Sequence, residues 1–225
     1  MKYPKIETLF NRKTEGKKKG HVIEGEYRLP EFENIKKWRV TEKIDGTNTR
    51  VFFKDGEVRY GGRTDNAQLH VKLIEHLQNT FTHQSLDHAF PMNEDGFYPT
   101  VTLFGEGYGP KIQKGGNYRP DISFRLFDVY IKDQDNLLGG WWLEPDDIYD
   151  IAQKLGIQEA PNLGTMTTKE IIDTVKNGIY SLISLEEGGS EKYLMEGLVA
   201  RTCPLMFTRR GSRVMFKLKT RDFAV

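Results

Sequence analysis

The segment Glu42-Lys43-Ile44-Asp45-Gly46-Thr47-Asn48 places a lysine just ahead of an Asp-Gly pair. Beside a tight Asp-Gly bend, a lysine amine can act as a covalent nucleophile fixed by backbone rather than by a flexible loop. The three residue types are common, and K-x-D-G arises by chance in roughly one chain of this size in twenty. A solvated lysine on a hairpin turn is the plain alternative. The motif needs partners further along the chain.

Those partners are charges on segments that otherwise read as core strands. Arg63 follows Gly61-Gly62, Glu106 closes the apolar run Val101-Thr102-Leu103-Phe104-Gly105, and Asp128 interrupts Phe124-Arg125-Leu126-Phe127 and Val129-Tyr130. Glu196 interrupts Leu194-Met195 and Gly197-Leu198-Val199. Lys217 and Lys219 alternate with apolar residues in Val214-Met215-Phe216-Lys217-Leu218-Lys219 and so share one strand face. One such charge is ordinary on an edge strand. Buried charges are costly unless paired or held by a ligand, so six spread over five segments point to a pocket for phosphates and a metal.

The elements that must carry these residues are legible in outline. Residues 38–44 and 49–60 alternate as antiparallel strands with a turn at Asp55-Gly56. Leu69, Leu73, Ile74, Leu77 and Phe81 predict a helix over 67–81. Strands are expected at 99–106 and 122–132. Pro145 opens a helix with Asp146 and Asp147 in its first turn, closed by Gly156. Thr167 and Glu170 form a capping box ahead of a second helix ending near Gly178. Strands return at 193–201 and 213–219, with a turn at Arg210-Gly211-Ser212. The pattern is α+β, dominated by antiparallel strands. It lacks the regular strand–helix alternation of a doubly wound parallel sheet.

Composition narrows the class. The 225 residues suffice for one large domain or two small ones, and no internal repeat is visible. With 37% hydrophobic residues and a mean hydropathy of −0.59, the chain has no apolar run long enough for a membrane span. The stretch Met1-Lys2-Tyr3-Pro4-Lys5 leads into no apolar segment, so no signal peptide is expected. A single cysteine, Cys203, excludes an internal disulfide and fits a reducing compartment. Net charge is only +1, yet Lys13, Lys17, Lys18 and Lys19 cluster early and Arg209, Arg210, Arg213, Lys217, Lys219 and Arg221 late, while acidic residues gather between 133 and 159. Local basic faces on a near-neutral protein suit a phosphate-bearing ligand.

Other motifs fall away. Gly105-Glu106-Gly107-Tyr108-Gly109 is followed by Pro110 and opens no helix, so it fails as a dinucleotide fingerprint, and no G-x-x-x-x-G-K-[ST] is present. His21, His70, His76, His83 and His88 include no H-x-x-x-H pair and read as surface or core residues rather than zinc ligands.

The ordered set resembles the covalent nucleotidyltransferases, the superfamily of ATP-dependent ligases and capping enzymes. Lys43 to Gly46 resembles the nucleophile motif, Gly105-Glu106 the carboxylate motif, and Phe127-Asp128 the aromatic strand motif. Glu196-Gly197-Leu198-Val199 and Lys217-Leu218-Lys219 resemble the last two. Arg63 lies 20 residues beyond Lys43, and Lys217 lies 21 beyond Glu196, spacings similar to the family's. The resemblance spans about residues 1 to 221. DNA ligases and capping enzymes carry K-x-D-G-x-R, whereas Asn48 stands here in the arginine position, so the branch resembled is that of the nick-sealing RNA ligase 2-like enzymes. The segments Tyr3-Pro4-Lys5-Ile6-Glu7-Thr8-Leu9-Phe10 and Leu29-Pro30-Glu31-Phe32 are similar to phage and bacterial members. The sequence stops six residues after Lys219, so the expectation is a single nucleotidyltransferase domain over 1–225 without a C-terminal OB-fold or helical domain.

The resemblance implies antiparallel sheets flanked by helices, with the nucleotide pocket between them. It implies an ATP-dependent RNA ligase that joins 3′-hydroxyl and 5′-phosphate ends through lysyl-AMP and an adenylylated 5′ end, with Mg²⁺ or Mn²⁺. Lys43 is then the nucleophile, and Lys217 and Lys219 contact the α-phosphate. Phe127 stacks on adenine, Arg63 and Glu106 hold the ribose, and Glu196 binds the metal. Glu42 reads the base through its backbone, and Asn48 acts at the RNA end. An unperturbed lysine is neutral in about one molecule per few thousand at pH 7, and nearby cations favour the neutral amine. The expected substrate is RNA with nicked or splinted ends, and the expected enzyme is a monomer, cytoplasmic in a bacterial or phage-infected cell. Phe127 as a core aromatic is the competing reading of that residue. A minimal DNA ligase or a guanylyltransferase, and a non-catalytic nucleic-acid-binding protein of the same fold, are the alternatives.

Overall fold

The computed structural model describes residues 1–114, 116, 118–132, 139–188 and 193–223. Two compact units each have a hydrophobic core of their own. The first comprises Met1–Tyr3 and Asp45–Ala160, the second Pro4–Ile44 and Pro161–Val225. The chain passes between units at Ile44/Asp45, inside the lysine motif.

The second unit is built on a five-stranded sheet. Its order is β1 (Glu7–Thr8), β13 (Met215–Lys219), β12 (Gly197–Arg201), β4 (Trp38–Lys43) and β11 (Asn162–Met166). Strand alternation divides its faces. Trp38, Val40, Leu198, Ala200, Phe216 and Leu218 enter the core, where they join Ile171 and Val175 of α5 (Thr168–Asn177). The intervening Lys43, Lys217 and Lys219 are thereby turned to the other face. The expected capping box opens α5: the Thr167 amide donates to Glu170 Oε2 at 2.7 Å, and the Glu170 amide donates to Thr167 Oγ1 at 3.2 Å. The hairpin β2 (Phe10–Arg12) and β3 (Val22–Tyr27), and Phe32 of α1 (Pro30–Asn34), complete this core.

The first unit holds a six-stranded sheet. Its path is β10 (Gln158–Glu159), β8 (Ser123–Lys132), β7 (Thr100–Tyr108), β5 (Thr47–Lys54) and β6 (Glu57–Gly62), with β9 (Trp141–Trp142) paired to β8. Val51, Phe53, Val101, Leu103, Phe124, Leu126 and Val129 pack against Leu73 and Leu77 of α2 (Val71–Thr80), Leu86 of α3 (His83–Ala89), and Ile148 and Ile151 of α4 (Pro145–Lys154). The β5–β6 turn falls at Asp55-Gly56, whose φ values of 52° and 78° give the two left-handed residues of a tight hairpin.

The expected elements are present with shifted ends. The helix predicted over 67–81 occupies Val71–Thr80, capped by His70, whose ring nitrogen accepts from the Lys72 amide at 3.3 Å. The strand expected from 193 begins at Gly197, preceded by an isolated Tyr180–Leu194 bridge. Two short edges, β1 on β13 and β10 on β8, are parallel additions to the antiparallel sheets. Asp133 and Asp135 of the acidic stretch lie outside the described residues. Among the described residues, no helix is long and apolar enough to cross a membrane.

One buried charge shapes the first unit without belonging to any expected motif. Arg50, 1% exposed on β5, donates to Gly62 O at 2.6 Å, Met1 O at 2.9 Å and Asp65 Oδ1 at 3.0 Å. These bonds fasten the segment that carries Arg63. Arg50→Ala leaves two carbonyls without a donor and is expected to destabilise by about 2–4 kcal/mol. A urea melt reads this directly, and a loss under about 1 kcal/mol would show the clamp to be dispensable.

Candidate active site

Three adjacent strands set the central cluster. Gly197 of β12 is paired with Lys43 of β4 on one side and with Lys219 of β13 on the other. Glu196 immediately precedes that row. Its carboxylate accepts from Lys43 Nζ at 2.5 Å through Oε2 and from Lys219 Nζ through Oε1. Burial pushes the Glu196 carboxyl up, but the charges and hydrogen bonds of Lys43 and Lys219 outweigh it and hold the group below its ordinary value. Gly197 permits this spacing, since a Cβ there would lie 2.0 Å from Leu218 O and 2.6 Å from Lys219 Cα. Lys217 stands two residues before Lys219 on the same strand face, in register with Val199 and with Thr8. The sheet thus brings Lys43, Glu196 and Lys219 together and sets Lys217 one step along.

Glu42 points the other way. It is buried, and its carboxylate accepts from the Ser181 hydroxyl at 2.5 Å and the Leu182 amide at 2.8 Å, at the start of α6 (Leu182–Glu186). Its amide donates to Pro161 O at 2.9 Å. The side chain of Glu42 therefore anchors α6, and the backbone role expected of it is a separate matter.

A second carboxylate supports Lys219 from behind. Asp222, buried in a short 3₁₀ turn after β13, accepts the Lys219 amide at 2.9 Å through Oδ2 and the Arg12 guanidinium at 2.7 Å through Oδ1. Arg12 and Asp222 are 210 residues apart, so neither signals its role in sequence.

In the first unit, the sheet face opposite the core carries the remaining candidates. Asn48 on β5 is directly opposite Glu106 on β7. Asn48 Oδ1 is buried with no hydrogen-bond partner, an uncompensated cost that an incoming donor would relieve. Gly46 leaves room for Glu106, since a Cβ at Gly46 would meet Glu106 Cγ at 2.8 Å and Gly107 O at 2.3 Å. The Asp45 amide donates to Tyr118 Oη at 2.9 Å, steadying the bend. Arg63 is exposed just beyond β6.

Phe127 owes its position to a β-bulge. The β7–β8 register pairs Phe104 with Asp128 and Gly105 with Leu126, so Phe127 is the extra residue. Leu126 and Val129 both enter the core, which leaves Phe127 and Asp128 together on the opposite face. Phe127 is half-buried and meets the Tyr3 ring edge-on at 5.1 Å, while Tyr3 Oη donates to Asp128 Oδ2 at 2.5 Å. Phe127 is thus set apart from the main hydrophobic cluster. Tyr3 is a contact that sequence reasoning missed.

Among the described residues, no three His, Cys, Asp or Glu side chains cluster as a metal cage. A single partly exposed carboxylate at Glu196 still suits Mg²⁺ or Mn²⁺, hard cations that take one or two carboxylates and complete their shell with phosphate oxygens and water.

The architecture is a nucleotidyltransferase fold. The RNA ligase family model matches residues 36–219, and the chain belongs to that family. Among curated protein sequences none matches the chain. Solved structures of Naegleria gruberi RNA ligase share the fold. A lysine-to-alanine mutant with ATP and Mn superposes with a TM-score of 0.60 at 20% identity, covering 87% of this chain and 53% of that one. The ligase with PPi gives a TM-score of 0.56 at 21% identity, covering 84% and 50%. A lysine-to-methionine mutant with AMP and Mn gives 0.58 at 20% identity, covering 84% and 51%. The chain spans about half the length of these proteins.

Proposed function

We propose that residues 1–225 act as one adenylation domain of an ATP-dependent RNA ligase, with Lys43 as the covalent nucleophile. The observation that carries this reading is the Glu196 carboxylate, just before β12, accepting from both Lys43 of β4 and Lys219 of β13, in a chain of the RNA ligase family. The ATP, AMP and PPi held by the Naegleria structures are a substrate and products of nucleotidyl transfer, Mn is a divalent metal suited to it, and together they support this reading.

In the first step Lys43 loses a proton to solvent, and the lone pair of its neutral amine attacks the α-phosphorus of ATP. The bond to the bridging oxygen breaks, pyrophosphate leaves, and the second proton on the new N–P nitrogen passes to solvent. The Lys43–Glu196 ion pair must separate for this attack. Lys217 and Lys219 contact the α-phosphate, where charge grows on the equatorial oxygens. Glu196 would hold a Mg²⁺ or Mn²⁺ ion, which would supply electrostatic stabilisation of the phosphates. Phe127 stacks on adenine, Arg63 and Glu106 hold the ribose, and the Glu42 backbone reads the base.

In the second step an RNA 5′-phosphate oxygen attacks the lysyl-AMP phosphorus and releases Lys43. In the third, a 3′-hydroxyl attacks that 5′-phosphate, the phosphodiester forms and AMP departs. Asn48 acts at the RNA end, where its unsatisfied Oδ1 accepts a hydrogen bond from a hydroxyl. The enzyme works as a monomer on nicked or splinted ends in the cytoplasm of a bacterial or phage-infected cell; the solitary cysteine supports only the reducing compartment in this reading.

Sealing of a nicked RNA duplex is expected to exceed that of the all-DNA duplex and to fall steeply as salt rises, because each phosphate contact releases a counterion. Gel assays of both nicks at low and moderate salt test this. Faster sealing of DNA, or rates indifferent to salt, would overturn the substrate assignment.

A further inference from the structure

The connection between β12 and β13 is a built hairpin that holds apolar side chains out. The Val214 amide donates to Met206 O at 2.7 Å and the Thr208 amide to Ser212 O at 2.7 Å. The Gly211 amide donates to Thr208 O at 2.9 Å, and Gly211 takes a φ of 77° to close the turn. At the base, the Met206 amide donates to Thr202 Oγ1 at 2.8 Å. On this frame Met206 and Phe207 remain 51% and 52% exposed, and Phe207 bridges directly to Arg213. Arg209 and Arg210 are exposed at the tip.

Charge identifies the occupant. No aspartate or glutamate occurs between Glu196 and Asp222, whereas Arg201, Arg209, Arg210, Arg213, Lys217, Lys219 and Arg221 do. In a chain of net charge +1 this is a strongly polyanion-directed segment. An ordered aromatic flanked by arginines suits unpaired nucleotides, whose bases stack on the ring and whose phosphates meet the guanidinium groups.

Resting on the RNA ligase reading, we propose that the 202–214 hairpin is a stacking platform for single-stranded RNA, with Phe207 under a base and Arg209 and Arg210 on the flanking phosphates. The Arg201–Met215 pair at the hairpin base is four residues along β12 from the Gly197–Lys219 row, or about 13 Å at strand rise. The platform therefore grips unpaired nucleotides that flank the splinted duplex, away from the reacting end. Its contribution falls on RNA affinity and leaves transfer of AMP to Lys43 untouched.

The test pairs two readouts on the full chain: AMP transfer to protein from labelled ATP, and anisotropy of a fluorescein-labelled, 5′-phosphorylated single-stranded RNA. Phe207→Ala is expected to take AMP at the wild-type rate and bind RNA between about fivefold and a hundredfold more weakly. Phe207→Trp is expected to retain binding, which separates stacking from a folding defect. The Arg209→Gln, Arg210→Gln double variant is expected to flatten the log–log salt slope by about 1.4. A wild type that takes AMP and binds RNA, beside a Phe207→Ala variant that binds as tightly, overturns the platform alone. A wild type that neither takes AMP nor binds RNA overturns the ligase reading and the platform with it.

Discussion

Lys43→Ala is expected to abolish transfer of AMP from ATP to the protein while leaving sealing of pre-adenylylated RNA intact. The distinction follows from the proposed chemistry, in which Lys43 is bonded to AMP only until the 5′-phosphate takes it over. An RNA end already carrying AMP needs no such carrier. Loss of an obligate nucleophile costs on the order of 10⁵–10⁶ in rate, which places the first step below detection. The variant should fold, because Glu196 keeps Lys219 as its partner when Lys43 is removed. Lys43→Arg should be equally inactive, since a guanidinium does not deprotonate in proteins. Gel assays with ATP and RNA, and with adenylylated RNA alone, read the two activities. Equal loss of both, in a variant that melts like the wild type, would show that Lys43 does more than carry AMP.

Lys219→Ala is expected to slow AMP transfer by about 10²–10³, the usual effect of removing one donor to a charge that develops in the transition state. Its effect on stability is smaller, about 1–3 kcal/mol for one charge-assisted hydrogen bond to a largely buried carboxylate. That effect has a sign in pH. Lys43 and Lys219 together hold Glu196 below its ordinary 4.5 despite burial. Their pairing therefore stabilises the fold above pH 4.5 and loses this contribution as pH falls through the lower folded-state value. Wild type and variant should differ in stability at neutral pH and converge in acid. Rates within tenfold of each other, or a stability gap that widens in acid, would contradict the role given to this contact.

Much of the fold that positions these residues is legible in the sequence, because its elements open and close on short, local signals. Asp55-Gly56 dictates a two-residue hairpin turn, and Thr167 with Glu170 dictates a helix start. Lys217 and Lys219 alternate with Met215, Phe216 and Leu218 in a way that puts both lysines off the core. What sequence could not provide depends on contacts between distant positions. Tyr3 meets Asp128 across 125 residues, and Arg12 meets Asp222 across 210. The bulge that sets Phe127 beside Asp128 on one face appears only once the β7 register is known. Arg50 reads as one more strand charge until its carbonyl partners are located. Glu42 is adjacent to Lys43 in sequence, yet strand alternation turns its side chain away toward α6. The division into two units was equally hidden, because the boundary at Ile44/Asp45 falls within one continuous motif.

The proposed mechanism stands on a covalent bond between Lys43 and AMP. Mass spectrometry of the intact chain after incubation with ATP and Mg²⁺, followed by mapping of the modified peptide, reads that bond without an RNA substrate. One AMP per chain is expected, located on Lys43 and formed from ATP in preference to GTP. No adduct, an adduct on another residue, or preferential transfer of GMP from GTP would contradict it.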